Sequence, residues 1–124
     1  MEVGILLDSV ILIDHLNGVS AATEYLRTVE GANVSVITRA EVLTGIDARD
    51  RDAVIRLLNR YATLSIDRKT ADLAANLRRK YRWRLPDAFQ TALAELNHLK
   101  LATRNTRDFP PQKYAFVVVP YAVK

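Results

Sequence analysis

The sequence predicts an α/β fold, a three-layer sandwich in which helices flank a mainly parallel sheet of roughly five strands. Short aliphatic stretches of strand character alternate with amphipathic stretches of helical periodicity along the chain. Strands that alternate with helices in this way form parallel sheets. The 124 residues, 49% of them hydrophobic, suit one domain over residues 1–124, so we expect no second domain.

The first elements are a buried strand and a helix that follows it directly. VGILL, residues 3–7, reads as the strand, and VILIDHLNG reads as the helix, which ends at Asn-Gly as helices commonly do. Asp8 and Ser9 lie between them, and both are good helix N-caps. A second helix is predicted over SAATEYLRTV, with Ser20 as its cap.

The rest of the chain continues the alternation. NVSVI is predicted as the second strand, after which Thr38 can cap a helix over RAEVLTGI. DRDAVIRLLNRYA is amphipathic and predicts another helix, and TLSI predicts a third strand. Asp67 begins a long helix through KTADLAANLRRKYRW, and Pro86 lies where the first turn of the next helix, PDAFQTALAELNHL, would start. KLATR and YAFVVVP, residues 114–120, predict two final strands.

The composition limits the chemistry and the location. Without cysteine there is no disulfide, thiolate nucleophile or zinc–thiolate site, so a metal would be held by oxygen or by His15 and His98. Both histidines lie on predicted helices away from the acids, where we expect structural or solvent-facing roles. The net charge of +4 fits nucleic acid but does not identify it. No apolar run approaches the roughly 20 residues that cross a bilayer, and no signal-like segment appears, so we expect a cytoplasmic protein without membrane contact.

Four acids occupy equivalent places in this scheme. Asp8 follows the first strand, and Asp108 follows the fourth. Glu41 is predicted in the first turn of the helix after the second strand, and Asp87 in the first turn after Pro86. Capping or a turn would explain each acid alone. Ligands of parallel sheets bind beyond the carboxyl ends of the strands, however, and converging carboxylates would repel one another unless a hard cation such as Mg²⁺ or Mn²⁺ neutralised them.

The segments LLDSVILIDHL, TRAEVLTGI, LPDAFQTALA and LATRNTRDF resemble the signature segments of the PIN-domain ribonucleases, specifically the VapC-type toxins of toxin-antitoxin systems. The resemblance implies a PIN-like fold and an Mg²⁺- or Mn²⁺-dependent endoribonuclease with Asp8, Glu41, Asp87 and Asp108 as its catalytic acids. Asp8 and Asp87 would bind the metal directly, and the other two directly or through water. Some PIN domains carry the fourth acid at the position of Asn105, so this amide is expected as a neutral ligand or to hold a water.

Other residues near these acids have supporting roles by the same resemblance. Ser9 and Thr103 are similar to the family's small hydroxyl positions and would orient a carboxylate or a water. Arg39, Arg104 and Arg107 lie close in sequence to the acids, and arginine grips phosphates in a fork, so we expect them to contact RNA. The products implied by the family carry a 5′ phosphate and a 3′ hydroxyl.

Two further features stay outside the predicted site. RRKYRWR, residues 78–84, is a basic stretch in which Tyr81 and Trp83 could stack on unpaired bases, but a solvated helix face is the simpler interpretation for most of it. Asp14 follows Asp8 by six positions, a spacing that places it on a different side of the helix. We therefore leave Asp14 out of the metal set.

The resemblance also implies partners: a cognate VapB-type antitoxin, an RNA substrate with tRNA among the candidates, and a second copy of the chain in a homodimer. One alternative is a PIN-fold binding module that does not cut RNA. Another is a receiver-like phosphorylation domain, which would need an acidic pair after the first strand and a lysine after the fifth, where only Lys124 is available. A haloacid-dehalogenase-like phosphatase would need an acid at Val10.

Overall fold

The computed structural model describes residues 4–122 and contains one five-stranded sheet. Its strands are β1 (Ile5–Leu7), β2 (Ala32–Ser35), β3 (Ala62–Leu64), β4 (Lys100–Ala102) and β5 (Val117–Val118). Every neighbouring pair is parallel, in the order β3-β2-β1-β4-β5. The predicted parallel sheet is confirmed, while Val3 of the predicted first strand and Lys124 lie outside the described residues.

Helices cover both faces of this sheet. Within residues 4–122 they are α1 (Ser9–Leu16), α2 (Ser20–Thr28), α3 (Val36–Thr44), α4 (Arg51–Leu58), α5 (Arg68–Tyr81) and α6 (Leu85–Leu96). A short 3₁₀ turn, Ala48–Asp50, precedes α4. None of the helices in this part of the chain has the length and hydrophobicity needed to span a membrane.

The strand alternation divides the core between the two faces of the sheet. Leu6 and Leu101 pack with Trp83 and Phe109 on one face. Leu7 packs on the other face, with residues of α1, α3 and α4. Because successive side chains of a strand point to opposite faces, two adjacent leucines of β1 can be completely buried in different layers. The predicted three-layer sandwich is therefore confirmed.

Two predicted helix starts are wrong by one to three residues. Val19, rather than Ser20, is the N-cap of α2. The side chain of Ser35 accepts a hydrogen bond from the backbone N–H of Thr38 at 3.0 Å, so Ser35 is the cap of α3. The aliphatic residues after Ser35 resemble a strand by composition but form the first turn of α3. Glu41 consequently lies in the second turn of α3, not in the first as predicted.

The last predicted strand is much shorter than YAFVVVP suggested. Only Val117 and Val118 pair with β4, opposite Leu101 and Ala102. The preceding residues form turns in which Lys113 and Tyr114 both donate backbone hydrogen bonds to the carbonyl of Pro110. These turns belong to the segment that connects β4 to β5.

A buried polar network joins the start of α3 to α6. The hydroxyl of Ser35 donates to the side-chain oxygen of Gln90 at 2.6 Å, and the amide nitrogen of Gln90 donates to the hydroxyl of Thr38 at 2.9 Å. All three side chains are almost completely buried. The network therefore fixes the helix that carries Glu41 relative to the helix that carries Asp87.

Candidate active site

A cleft of about 320 Å³ opens at the carboxyl end of the sheet, beside β1 and β4. The chain passes from β1 to β2 and β3 on one side and then crosses back to β4 on the other, and binding sites of parallel sheets occur where the strand order reverses in this way. The predicted site residues that line the cleft are Asp8, Ser9, Glu41, Asp87, Arg104, Asn105 and Arg107.

Asp8 is the N-cap of α1, as predicted, and it is buried. One carboxylate oxygen accepts from the backbone N–H of Ser9 at 2.9 Å, and the other from the hydroxyl of Thr103 at 2.7 Å. Thr103 itself is completely buried and accepts the backbone N–H of Asn105 at 3.0 Å. Burial raises the pKa of the Asp8 carboxyl above its ordinary value, although these hydrogen bonds act in the opposite direction.

Asp87 lies in the first turn of α6, directly after Pro86, as the sequence predicts. Its Oδ2 atom is buried and has no hydrogen-bond partner. The Nε atom of Arg84 lies 3.5 Å from it, within ion-pair distance. Burial raises the pKa of the Asp87 carboxyl; the charge of Arg84 opposes this, and the charges of Asp8 and Asp108 add to it. This oxygen therefore has the exposed Arg84 as a charge partner but makes no hydrogen bond.

Glu41 and Asn105 also line the cleft. Glu41 is half-buried on α3, and Asn105 follows β4. The amide of Asn105 donates to the exposed carboxylate of Asp108 at 3.0 Å. Asp108 lines the groove next to the cleft rather than the cleft itself. The side chain of Asn105 thus links a residue of the cleft to the exposed Asp108.

The three arginines predicted to contact RNA have different positions. Arg107 is exposed and lines the cleft. Arg39 does not line it, because its guanidinium donates to the side chain of Asn59 at 3.0 Å. Arg104 lines the cleft but is bound by Asp14, with N–H donors 2.5 and 2.9 Å from the two carboxylate oxygens.

Asp14 is the main residue that the sequence interpretation left out. It is 5% exposed, pairs with Arg104 and also accepts from the hydroxyl of Tyr121 at 2.8 Å. The hydrogen bond from Arg104 lowers the pKa of the Asp14 carboxyl, against the effect of burial. The signal available in the sequence was a single acid within an aliphatic helix, VILIDHL, where an unpaired charge would be costly.

Arg84 was also missed as a site residue. It belongs to the basic stretch interpreted as a solvated helix face, yet it occupies the N-cap position of α6, lines the cleft and forms an ion pair with Asp87. The spacing of Arg84 and Asp87, three positions apart at a helix start, was the signal in the sequence. His15, by contrast, is bonded to the hydroxyl of Thr23 at 2.7 Å and does not line the cleft.

The arrangement has the chemistry of a site for a hard cation. Within residues 4–122, no three side chains of His, Cys, Asp or Glu come close enough together to enclose a metal ion. Mg²⁺ does not require such a cage, because it usually keeps several waters and binds through one or two carboxylates together with substrate phosphates. Asp8 and the Oδ2 atom of Asp87, which makes no hydrogen bond, fit that mode of binding.

Comparisons with known proteins identify the family. The PIN domain family matches residues 5–113. Ribonuclease VapC10 of Mycobacterium tuberculosis is 37% identical over 114 residues, which cover 86% of each chain. A toxin-antitoxin complex from Klebsiella pneumoniae contains a chain 34% identical, with a TM-score of 0.87 over 97% of this chain and 100% of that one.

A structure with lower sequence identity to this chain has the same fold. FitAcB from Neisseria gonorrhoeae is 22% identical, with a TM-score of 0.76 over 94% of this chain and 97% of that one, and it shows the fold alone. The four signature segments seen in the sequence thus lie within residues 5–113, the range that the PIN domain family matches. The chain belongs to the PIN-domain family, among the relatives of the VapC ribonucleases.

Proposed function

We propose that this protein is an endoribonuclease that depends on Mg²⁺ or Mn²⁺ and serves as the toxin of a toxin-antitoxin pair. The observation that carries the proposal is the buried Oδ2 atom of Asp87, which makes no hydrogen bond and lies beside the buried carboxylate of Asp8 in a cleft lined by arginines. Two carboxylates held this way are costly unless a cation lies between them. The 37% identity to a protein named as a ribonuclease supports RNA as the substrate.

The metal would be held mainly by Asp8 and Asp87. Their oxygens are hard ligands of the kind that Mg²⁺ and Mn²⁺ prefer. Glu41 and Asp108 would act directly or through water, and Asn105 would be a neutral ligand or hold a water between Asp108 and the cleft. When bound, the ion would activate water, neutralise the scissile phosphate and stabilise the leaving oxygen.

The side chains of the protein supply the positioning. Thr103 and the backbone of Ser9 hold the Asp8 carboxylate in one orientation. Glu41 is free in the cleft to accept the proton of the attacking water, since no hydrogen bond within residues 4–122 engages its carboxylate. Arg107 and Arg104 face the phosphate, and hydrolysis leaves a 5′ phosphate and a 3′ hydroxyl. Candidate substrates include tRNA, and such a substrate would place the activity in the cytoplasm.

Two protein partners complete the proposal. The first is a VapB-type antitoxin that covers the cleft, supported by the toxin-antitoxin complex at 34% identity. The second is another copy of the chain in a homodimer, which rests on the family resemblance. Light scattering of the purified protein tests the dimer, and a monomer at micromolar concentration would contradict it. Co-purification from the native host tests the antitoxin, and the absence of a small protein partner would contradict it.

The decisive experiment separates a nuclease from a silent PIN-fold binding module. Purified protein should cut RNA with Mg²⁺ or Mn²⁺ and lose the activity with a chelator. Asp87→Asn should reduce cleavage about a hundredfold or more, because it removes a metal ligand. Asp72→Asn, an exposed acid on α5, is the matched control and should remain active. A wild-type protein that leaves a panel of structured and single-stranded RNAs uncut, and whose expression is as harmless as that of Asp87→Asn, would refute the proposal.

A further inference from the structure

A second groove, of about 470 Å³, continues from the cleft along the end of α5. Arg84 and Arg107 line both spaces, so a chain bound at the cleft can continue into the groove without leaving the surface. The far wall carries Tyr81, Lys113 and Tyr114. From the basic stretch, the groove includes Tyr81, Arg82 and Trp83, which the proposed nuclease function does not use.

The groove is built on a strained turn. Arg82, which follows α5, has a φ of 61°, in the left-handed region that residues other than glycine rarely adopt. The turn sends Trp83 into the core, where its ring nitrogen donates to the carbonyl of Asp108 at 3.1 Å. The guanidinium of Arg78 donates to the carbonyl of Trp83 at 2.6 Å and holds the turn in place. Backbone strain that the surrounding structure maintains often marks a functional site.

Aromatic rings form the wall of the groove. Trp83 and Tyr81 are stacked, with ring centroids 4.6 Å apart, and Tyr114 meets Trp83 edge-on at 5.3 Å. The Tyr81 and Tyr114 rings are half-buried, so part of each remains accessible from the groove. The ammonium of Lys113 lies 5.5 Å from the centroid of the Tyr114 ring. A fixed ring beside a cation is the combination that binds an unpaired base and its phosphate.

The charge of the groove is strongly positive. Its carboxylate is Asp108, one of whose oxygens already accepts from Asn105. Against it stand four exposed cations: Arg82, Arg84, Arg107 and Lys113. Such a balance favours a polyanion.

We propose that this groove is a subsite for single-stranded RNA and binds a nucleotide next to the scissile phosphate. Arg84 and Arg107 hold the connecting phosphate, and the base packs against Tyr114 beside Lys113. The inference rests on the proposed nuclease function of the cleft and adds that the enzyme needs unpaired nucleotides beyond the bond that it cuts. Stacking on a ring tolerates every base, so the subsite selects unpaired RNA more than sequence.

Cleavage of RNAs of different length tests the subsite. Wild-type protein with Mn²⁺ should show a kcat/KM about tenfold higher for a single-stranded hexanucleotide than for a dinucleotide. Lys113→Gln and Tyr114→Leu should each reduce this gain to about twofold. Tyr114→Phe keeps the ring and should retain the gain. Lys69→Gln, which removes an exposed cation at the opposite end of α5, is the charge-matched control and should also retain it.

Binding provides an independent measurement. Fluorescence anisotropy of a labelled hexanucleotide should show about fivefold or greater weakening for Lys113→Gln and Tyr114→Leu, and none for Lys69→Gln. Lys113 is exposed, so its variant keeps the fold even where Tyr114→Leu loses it. If both variants keep wild-type length dependence and affinity, the subsite is refuted. If the wild-type protein binds the hexanucleotide through Lys113 but cuts no RNA, the nuclease proposal fails while the groove remains an RNA site.

Discussion

Asp14 and Arg104 are 90 positions apart in the sequence and form a two-pronged ion pair in which both carboxylate oxygens are engaged. Asp14 is buried on α1, and Arg104 follows β4 at the edge of the cleft. The pair fixes the direction of the guanidinium and neutralises part of its charge. Arg104 thus contributes an oriented edge to the cleft, whereas Arg107 contributes a freely solvated cation.

We expect Asp14→Asn to lower the free energy of unfolding by about 2 kcal/mol, because it removes charge-assisted hydrogen bonds and leaves Arg104 without its partner. Urea denaturation measures the change. The control is Glu24→Gln, which breaks a pair with Arg27 whose side chains are 61% and 70% exposed. That variant should change stability by less than about 0.5 kcal/mol. Equal losses in the two variants would contradict the structural role of Asp14.

The same pair predicts a pH dependence. The pKa of Asp14 is lowered in the folded protein, chiefly by the hydrogen bond from Arg104. Its contribution to stability is therefore present above the ordinary pKa of 3.8 and is lost as the pH falls through the lowered value. The difference between wild type and Asp14→Asn should shrink on acidification from pH 6 to pH 3. A constant difference over this range would show that the carboxylate charge is not the cause.

Asp8 and Asp87 should have the opposite effect in metal-free protein. Burial raises both pKa values, so their protonated forms are favoured by folding and this contribution is lost as the pH rises from 3.8 through the raised values. Asp87→Asn should raise the stability of the metal-free protein at pH 7 by about 1 kcal/mol. Mg²⁺ should raise the Tm of wild type and leave that of Asp87→Asn unchanged. Destabilisation by this substitution in a chelator would contradict the assignment.

Glycine should stabilise the chain at Arg82 and at His98. Arg82 and His98 are, within residues 4–122, the non-glycine residues with positive φ, at 61° and 55°. Arg82→Gly and His98→Gly should each add about 1 kcal/mol, because glycine adopts this conformation without a steric penalty. Arg79→Gly, inside α5, should instead cost about 1 kcal/mol. Thermal unfolding that shows the same sign for all three variants would contradict this account of the strain.

Ser35→Ala should be unusually destabilising for the loss of one hydroxyl. It removes the cap of α3 and leaves the buried side-chain oxygen of Gln90 without its donor, at a combined cost of about 3 kcal/mol. Asp67→Ala is the control, since it removes an exposed cap of α5 and should cost about 1 kcal/mol. Similar unfolding midpoints in urea for the two variants would refute the contribution of the buried network.

The sequence was most informative where local chemistry and periodicity agree. The helix starts at Asp8 and Asp87 were predictable because each has a local signal in the sequence. Asp8 is a good N-cap residue directly after a strand, and Asp87 follows a proline in the first turn of α6. The start of α3 lacked such agreement, since the aliphatic residues after Ser35 suit either a strand or a helix. Only the packing of α3 against α6 through Gln90 decides between them. Glu41 was displaced by one turn for this reason.

Contacts between distant segments were beyond the sequence. No periodicity links Asp14 to Arg104 or to Tyr121, because their meeting depends on β4 returning beside β1. The same holds for Trp83, whose burial under the Asp108 turn changes a presumed solvated stretch into the wall of a groove. The sequence carried the residue types of the site, and the order of the strands determines which of them share a surface.

The network of Ser35, Thr38 and Gln90 is made only of neutral groups. Its hydrogen bonds do not depend on the protonation of the acids or on the binding of ions. The frame that spaces α3 from α6 should therefore keep the same dimensions whether the cleft is charged, protonated or loaded. A protein built this way can change the electrical state of its reaction centre without rearranging the scaffold around it.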